Sequence, residues 1–299
     1  MVTQANTPLP AGTPLQKYRV VRVLAVGGFS FVYLAHDEND KPVAIKEYLP
    51  ATLAVRVNGE RHPQVPDEEL ARFRFGMKLF IEEAGAIARL DHPNVVRVLD
   101  FFRDNDTAYL VMRYERGRSL EQHIKSHRGA LDERWVRKTF AQLLEGLREV
   151  HTHKLLHLDL KPANVYLRDD GTPLLIDFGA ARQALSAEGI KVPPAYTPGF
   201  APPEMHVWRG LLGPWSDIYS VGATMYACFA AAAPQPAHTR LENDLLVPAA
   251  IAFAGAYAPE LLEIVDWCLR LDHLQRPQSV LALQKALLGE SETPGHRPG

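Results

Sequence analysis

Between His157 and Asp177 the chain reads HLDLKPANVYLRDDGTPLLID, which brings together the carboxylate of Asp159, the amine of Lys161, the amide of Asn164 and the carboxylate of Asp177. A carboxylate can orient a hydroxyl and accept its proton, and an amine two residues on can neutralise charge on a transferred phosphate. An amide oxygen and a second carboxylate are the hard oxygen ligands that Mg²⁺ takes while keeping several waters. The set suits the movement of a phosphoryl group. Asp, Asn and Gly are also common turn residues, so the bland reading is a hairpin in an unrelated fold. Agreement of residue type and spacing at several points at once weighs against it.

Composition bounds the setting. The chain has 299 residues, 46% hydrophobic and 23% charged, which is ordinary for a globular protein of two lobes or two domains. A formal net charge of -2 gives no basic field for nucleic acid. Cys228 and Cys268 lie in apolar surroundings and read as free buried thiols of a reducing compartment. No run of about 18 apolar residues reads as a membrane span, and the start lacks the basic and apolar blocks of a signal peptide. The expected location is cytoplasmic.

The elements that must hold the chemical groups follow from pattern. Residues 1–16, rich in Thr, Pro and Ala, read as a loose leader. YRVVRVLAVGGFSFVYLAHD reads as two strands joined by a glycine turn, and KPVAIKEYL as a third. FIEEAGAIARLDHPNVV carries Phe80, Ala84, Ile87 and Leu90 at helical spacing. Ahead of it, Asn58-Gly59 between strand-like arms signals a type I′ hairpin, and Asp67 reads as a helix N-cap. VVRVLDFFRDNDTAYLVMRYERG gives two more strands around its DNDT turn. A helix is expected from about Glu133 to His151, with Trp135, Phe140, Leu143, Leu144 and Leu147 recurring in its pattern. Residues Ala233 to Pro248 read as loop, the last helices run from about Pro259 to Leu288, and 290–299 read as a disordered tail or linker. His151, His153 and His157 have no cysteine or carboxylate set at structural-zinc spacing beside them.

From about Tyr18 to Leu288 these segments resemble the catalytic domain of bacterial eukaryotic-like (Hanks-type) serine/threonine protein kinases. The resemblance implies an α+β bilobal protein-kinase fold. A small antiparallel β lobe of five strands with helix αC takes residues 17–114, with an insertion at about 50–70. A mostly helical large lobe takes 115–289, and ATP lies between the two. It assigns Asp159, Lys161 and Asn164 to catalysis and makes Asn164 and Asp177 the ligands of Mg²⁺, with Mn²⁺ as the alternative ion. Lys46, in VAIK, is aimed at the α/β-phosphates and paired with Glu83; Glu82 points about 100° away on the helix. Met112 takes the gatekeeper position, Arg113 to Glu115 the hinge that binds adenine, and Ser119 the ribose contact. Leu24, Ala25, Gly27, Gly28, Val32, Ala44 and Tyr166 complete the nucleotide-contacting set. His157 resembles a packing histidine, Asp217 is expected to bond the catalytic-loop backbone, and Thr197 to contact Asp159 and Lys161. TPGFAPPE resembles the peptide platform, with Glu204 expected to pair with Arg276. The lysine in DLKPAN favours Ser/Thr over Tyr acceptors in protein substrates.

Departures from the family pattern carry information too. Ala25 and Ser30 stand where the first and third glycines of the phosphate loop would be. Leu158 replaces the arginine that binds an activation-loop phosphate, and Ser186, Tyr196 and Thr197 are the few hydroxyls between Asp177 and Glu204. Activity without activation-loop phosphorylation is the expectation. Ser119 and Ala163 are not acidic, so no strong demand for arginine at the third position before the acceptor is expected. The insertion reads first as a decorative surface hairpin, and second as a helix-positioning element or the dock of a regulatory partner. Two rival functions remain. A pseudokinase scaffold is fed by Ala25, Ser30 and Leu158 and opposed by Lys46, Glu83, Asp159, Asn164 and Asp177. A small-molecule phosphotransferase is opposed by TPGFAPPE and the Glu204/Arg276 pair.

Overall fold

The computed structural model describes residues 6–128, 131–178, 197–207 and 210–289, which divide into two compact units. Unit 1 is built on alternation. Strands β1 (Pro14–Leu15), β2 (Tyr18–Val26), β3 (Ser30–His36), β4 (Pro42–Tyr48), β5 (Val98–Asp104) and β6 (Thr107–Arg113) form one antiparallel sheet. Its order is β1-β2-β3-β4-β6-β5. The β5–β6 connection is a two-residue loop with positive φ at Asn105 and Asp106, the geometry that matches the twist of paired strands. Helix α1 (Leu70–Ile87) packs on β5 and β6, burying Phe73, Gly76, Phe80, Ala84 and Ile87 at intervals of three and four.

Four expectations for this unit are corrected. First, residues 6–16 are not a loose leader: Leu9 and Leu15 are buried, and Pro14–Leu15 adds a sixth strand to the five expected. Second, the insertion is not a decorative hairpin. Arg56 is fully buried and reaches Glu47, also fully buried, through bonds of 2.6 and 2.8 Å. Tyr33 and Tyr109 donate to the same carboxylate at 2.7 and 2.8 Å. The leader closes the cluster, since Thr7 O accepts from Arg56 Nε at 2.8 Å and Leu9 N donates to the Tyr33 hydroxyl at 3.1 Å. A guanidinium buried this way needs every donor met, and the leader supplies acceptors the insertion lacks. Third, the Asn58-Gly59 turn is not type I′. Only Gly59 has positive φ (+86°), as in a type II turn, and the arms shrink to a single bridge between Val55 and Gln64. Asp67 is not an N-cap either. Pro66, with φ already near the helical value, takes that position ahead of a short 3-10 turn, Asp67–Glu69.

Unit 2 is mostly helical. It contains β7 (Gly117–Ser119), α2 (Leu120–His127), α3 (Glu133–Thr152), β8 (Val165–Arg168) and β9 (Pro173–Leu175). After these come α4 (Pro214–Ala230), α5 (Ala237–Glu242), α6 (Ala249–Ala252), α7 (Pro259–Cys268) and α8 (Val280–Leu287). Strands β7, β8 and β9 form a small antiparallel sheet. Every residue of α4 from Ser216 to Phe229 is buried, so it is the central helix of this unit. Gly222 lets α7 come close, because a Cβ there would meet Cys268 Cβ at 2.4 Å. Cys228 and Cys268 are free and buried, and burial pushes both thiols up, away from the reactive thiolate. The 233–248 stretch is not all loop: α5 starts directly after Pro236, a residue tolerated at helix starts. Trp135 leaves the α3 core stripe and stacks on His123 at 4.6 Å instead. Among the described residues no helix is long and apolar enough to cross a membrane.

Candidate active site

The loop between α3 and β8 is shaped by one carboxylate. Asp217, in the first turn of α4, accepts from His157 N at 2.9 Å and from Leu158 N at 2.8 Å. His151 Nε2 lies 2.7 Å from the same group. Burial pushes the Asp217 carboxyl up, but the His151 bond and charge and the His157 contacts hold it below the usual carboxylate range. The grip matters because Leu158 has φ +57°, a left-handed conformation costing roughly 1–2 kcal/mol for a side-chain-bearing residue. Two charge-assisted bonds from consecutive amides offset that cost.

His157 is fully buried and stacks on the Phe178 ring at 4.6 Å. Asp159 N donates to its Nδ1 at 3.3 Å, which leaves Nε2 to donate to Ile176 O at 3.1 Å. Burial pushes this imidazole down, against the pull of Asp217 and Asp159, so its neutral form is held. Both ring nitrogens are committed within the protein, and among the described residues no three or more His, Cys, Asp or Glu side chains come together to hold a metal ion.

The loop then presents its polar groups together. Lys161 Nζ lies 3.1 and 3.0 Å from the two oxygens of Asp159 and donates to Thr197 Oγ1 at 2.7 Å. Thr197 Oγ1 in turn lies 3.3 Å from Asp159 Oδ1. Asn164, in the short turn Pro162–Asn164, spends its amide nitrogen on Asp159 O (2.8 Å), Asp159 Oδ2 (2.8 Å) and Asp177 O (3.3 Å). Its carbonyl oxygen is therefore the atom left for a cation. Asp177 has φ +64° and its side chain is half-buried. Glu204 and Arg276 meet through bonds of 2.8 and 3.1 Å beneath the segment after Thr197, and Ser216 donates to Glu204 at 2.8 Å. Leu158 packs with Ala201, Met205, Leu156 and Leu212 in an apolar cluster. Ser119 is engaged as the cap of α2, accepting from Gln122 N at 3.2 Å, and Tyr166 sits half-buried opposite it on β8.

Unit 1 carries the remaining candidates. Cross-strand pairing aligns Val32 with Lys46 and Leu34 with Ala44, and Ala44 with Met112, so Val32, Ala44, Lys46 and Met112 share one sheet face. The glycine turn is closed by a bond from Gly27 N to Ser30 O at 2.9 Å. Gly28 is open to solvent, and Leu24 is half-buried on β2. Ala25 and Ser30 are strand residues paired with Val32 and Tyr48, and neither has positive φ, so the backbone does not need glycine at either place. Lys46 is buried with Nζ 5.9 Å from the Phe80 ring of α1. One turn further on α1, Glu83 is half-buried, whereas Glu82 is exposed and reaches Lys78 at 3.7 Å. Glu115 is half-buried just after β6. Ser186 and Tyr196 lie outside the described residues. Sequence reasoning weighed His151 only as a metal ligand and passed over Glu47, Tyr48 and Arg56. Their only signal was the apolar company they keep, which fits core packing equally well.

The sheet-and-helix unit, and the helical unit with the loop it carries, define the catalytic domain of a protein kinase. The match to the protein kinase domain runs over residues 18–288, and the chain belongs to that family, in its bacterial serine/threonine (Hanks-type) branch. It is similar to serine/threonine-protein kinase B of Synechocystis sp., 35% identical over 224 residues, covering 70% of this chain and 36% of that protein. Similarity to serine/threonine-protein kinase C of the same organism is 29% over 309 residues, covering 96% of this chain and 54% of the relative. The chain thus spans between about a third and about half of these relatives. Among solved structures, the PpkA-294 apo form superposes with a TM-score of 0.85 at 30% identity, covering 95% of this chain and 100% of that one.

Proposed function

We propose that this domain transfers the γ-phosphoryl of MgATP to serine or threonine hydroxyls of proteins. The observation that carries the reading is the Asp159–Lys161–Thr197 triangle, with Asn164 bonded to the same aspartate. Asp159 orients the acceptor hydroxyl and takes its proton as the new O–P bond forms; the bond from γ-phosphorus to the bridging oxygen breaks and ADP leaves. Lys161 neutralises charge on the moving phosphoryl group. Asn164 Oδ1 and the Asp177 carboxylate suit a divalent cation, Mg²⁺ by their oxygen chemistry or Mn²⁺ in its place, which when bound supplies charge neutralisation at phosphate oxygens. Lys46, supported by Glu83, holds the α/β-phosphates, and the face carrying Val32, Ala44 and Met112, with Leu24, Gly27, Gly28, Glu115, Ser119 and Tyr166, takes the nucleoside and loop contacts.

The same proposal holds that the segment after Asp177 needs no phosphate. The apolar packing of Leu158 on Ala201 and Met205 supports it, because it occupies the place where an arginine would otherwise need an anionic partner. Acceptors need no arginine three positions ahead, and the site of action is the cytoplasm.

The test is transfer of labelled phosphate from MgATP to a generic protein acceptor, comparing wild type with Asp159→Asn. Phosphoserine or phosphothreonine is expected only in the wild type, with nucleotide binding kept in the variant. Nucleotide binding without transfer in both proteins would replace this reading with a pseudokinase scaffold.

A further inference from the structure

The strand that carries Lys46 does not stop at Lys46. Side chains alternate along β4, so Glu47 enters the buried cluster behind the sheet while Tyr48 returns to the face of Lys46. Tyr48 is fully buried there. Its ring meets Phe29 of the glycine turn edge-on at 5.2 Å, and Phe73 and Phe80 of α1 at 5.1 and 5.8 Å. Its backbone oxygen accepts from the Thr107 hydroxyl.

The chain beyond Tyr48 continues onto the glycine turn itself. Leu49 N donates to Phe29 O at 3.0 Å and Ala51 N donates to Gly28 O at 2.9 Å. Pro50, between them, has no N–H to leave unmet. From there the chain runs through buried Leu53 and Ala54 to Arg56, whose ion pair with Glu47 closes the segment at 2.6 Å. A glycine turn with Gly28 in open space would otherwise have little to hold its tip.

We infer that residues 48–51 are a brace that fixes the glycine turn relative to α1, and that Tyr48 is a positioning residue for the nucleotide phosphates. The inference rests on the kinase reading above. Tyr48 is fully buried and its action is indirect. It acts through Phe29 on the turn and through Phe80, the ring beside Lys46 Nζ. Among the described residues the Tyr48 hydroxyl has no hydrogen-bond partner, so the ring alone does the work.

Tyr48→Leu keeps apolar bulk and removes the ring contacts. It is expected to raise KM for MgATP about tenfold, with a smaller change in kcat and none in KM for the protein acceptor. Tyr48→Phe is expected to restore wild-type values. Partial unfolding would lower kcat and leave KM for MgATP alone, so the split separates positioning from stability. Phe29→Leu, at a half-buried position where folding is not at risk, should reproduce the KM effect from the other side of the contact. An unchanged KM for MgATP in either leucine variant overturns the inference, as does an equal loss in Tyr48→Phe. If the wild type transfers no phosphate, the kinase reading fails, and the brace is then judged by amide exchange, which needs no turnover. The Leu49 and Ala51 amides should exchange at least about tenfold faster in Tyr48→Leu than in wild type, and equal rates overturn it.

Discussion

Arg56 and Glu47 form a two-point ion pair, 2.6 and 2.8 Å, in which neither side chain is exposed to solvent. Glu47 leaves the strand that carries Lys46, and Arg56 belongs to the insertion that separates this strand from α1. Removing one partner strands a buried charge, which typically costs about 3–5 kcal/mol. Arg56→Ala should lower stability in urea denaturation by about that amount. A double Glu47→Leu, Arg56→Met protein should recover part of the loss, since no buried charge is stranded while the Tyr33 and Tyr109 hydroxyls lose their acceptor. A single variant as stable as wild type would show that water reaches the cluster.

Glu204 and Arg276 are linked at 2.8 Å, 72 residues apart, and Arg276 also donates to the carbonyls of Arg270, Trp215 and Leu271. Arg276→Met leaves Glu204 and three carbonyls without that partner. The expected outcome is a loss of about 3–5 kcal/mol and lower transfer at temperatures well under the melting point. Arg276→Lys should rescue little, because an ammonium cannot reproduce the fork. Thermal melts paired with transfer assays check both statements.

Leu158 gives the phosphorylation claim its test. Ser186→Ala should keep most of the transfer activity, and phosphatase treatment of the wild type should change it less than about twofold. Leu158→Arg puts a guanidinium into the apolar Ala201–Met205 cluster. It should destabilise by roughly 1–3 kcal/mol, as unpaired buried polar groups do. A Ser186→Ala protein that loses most of its activity would refute phosphate independence.

His123 makes stability fall on acidification. Burial, with His127 and Arg118 nearby, holds its imidazole down at about 4. The unfolded chain binds a proton near pH 6.5. Between about 6.5 and 4 the unfolded state therefore carries the extra proton, and stability rises with pH across that window. The contribution is complete above pH 6.5 and is lost progressively as pH falls toward 4. The depressed imidazole of His157 acts in the same direction. His123→Gln should flatten the stability-versus-pH curve in this window, as read from urea midpoints at half-unit steps. An unchanged slope would mean that His123 titrates alike in both states.

Sequence alone sufficed to place the chain in its family and to bring Asp159, Lys161 and Asn164 together, because these groups sit within a few residues on one loop and their spacing is their geometry. Other features needed the tertiary structure. Leu9, Tyr33, Glu47, Arg56 and Tyr109 come from separate segments, and nothing local distinguishes a buried arginine from a solvated one until the carboxylate and carbonyls that meet its donors are in place. The leader reads as loose because its order comes from the distant Arg56 guanidinium and Tyr33 hydroxyl and from one edge strand. Asn58-Gly59 favoured a tighter turn by local preference, but Arg56, drawn inward on one arm, left only a single bridge to define the hairpin. Local chemistry is written in consecutive residues. The energy of burying a charge is decided by what the rest of the chain brings to it.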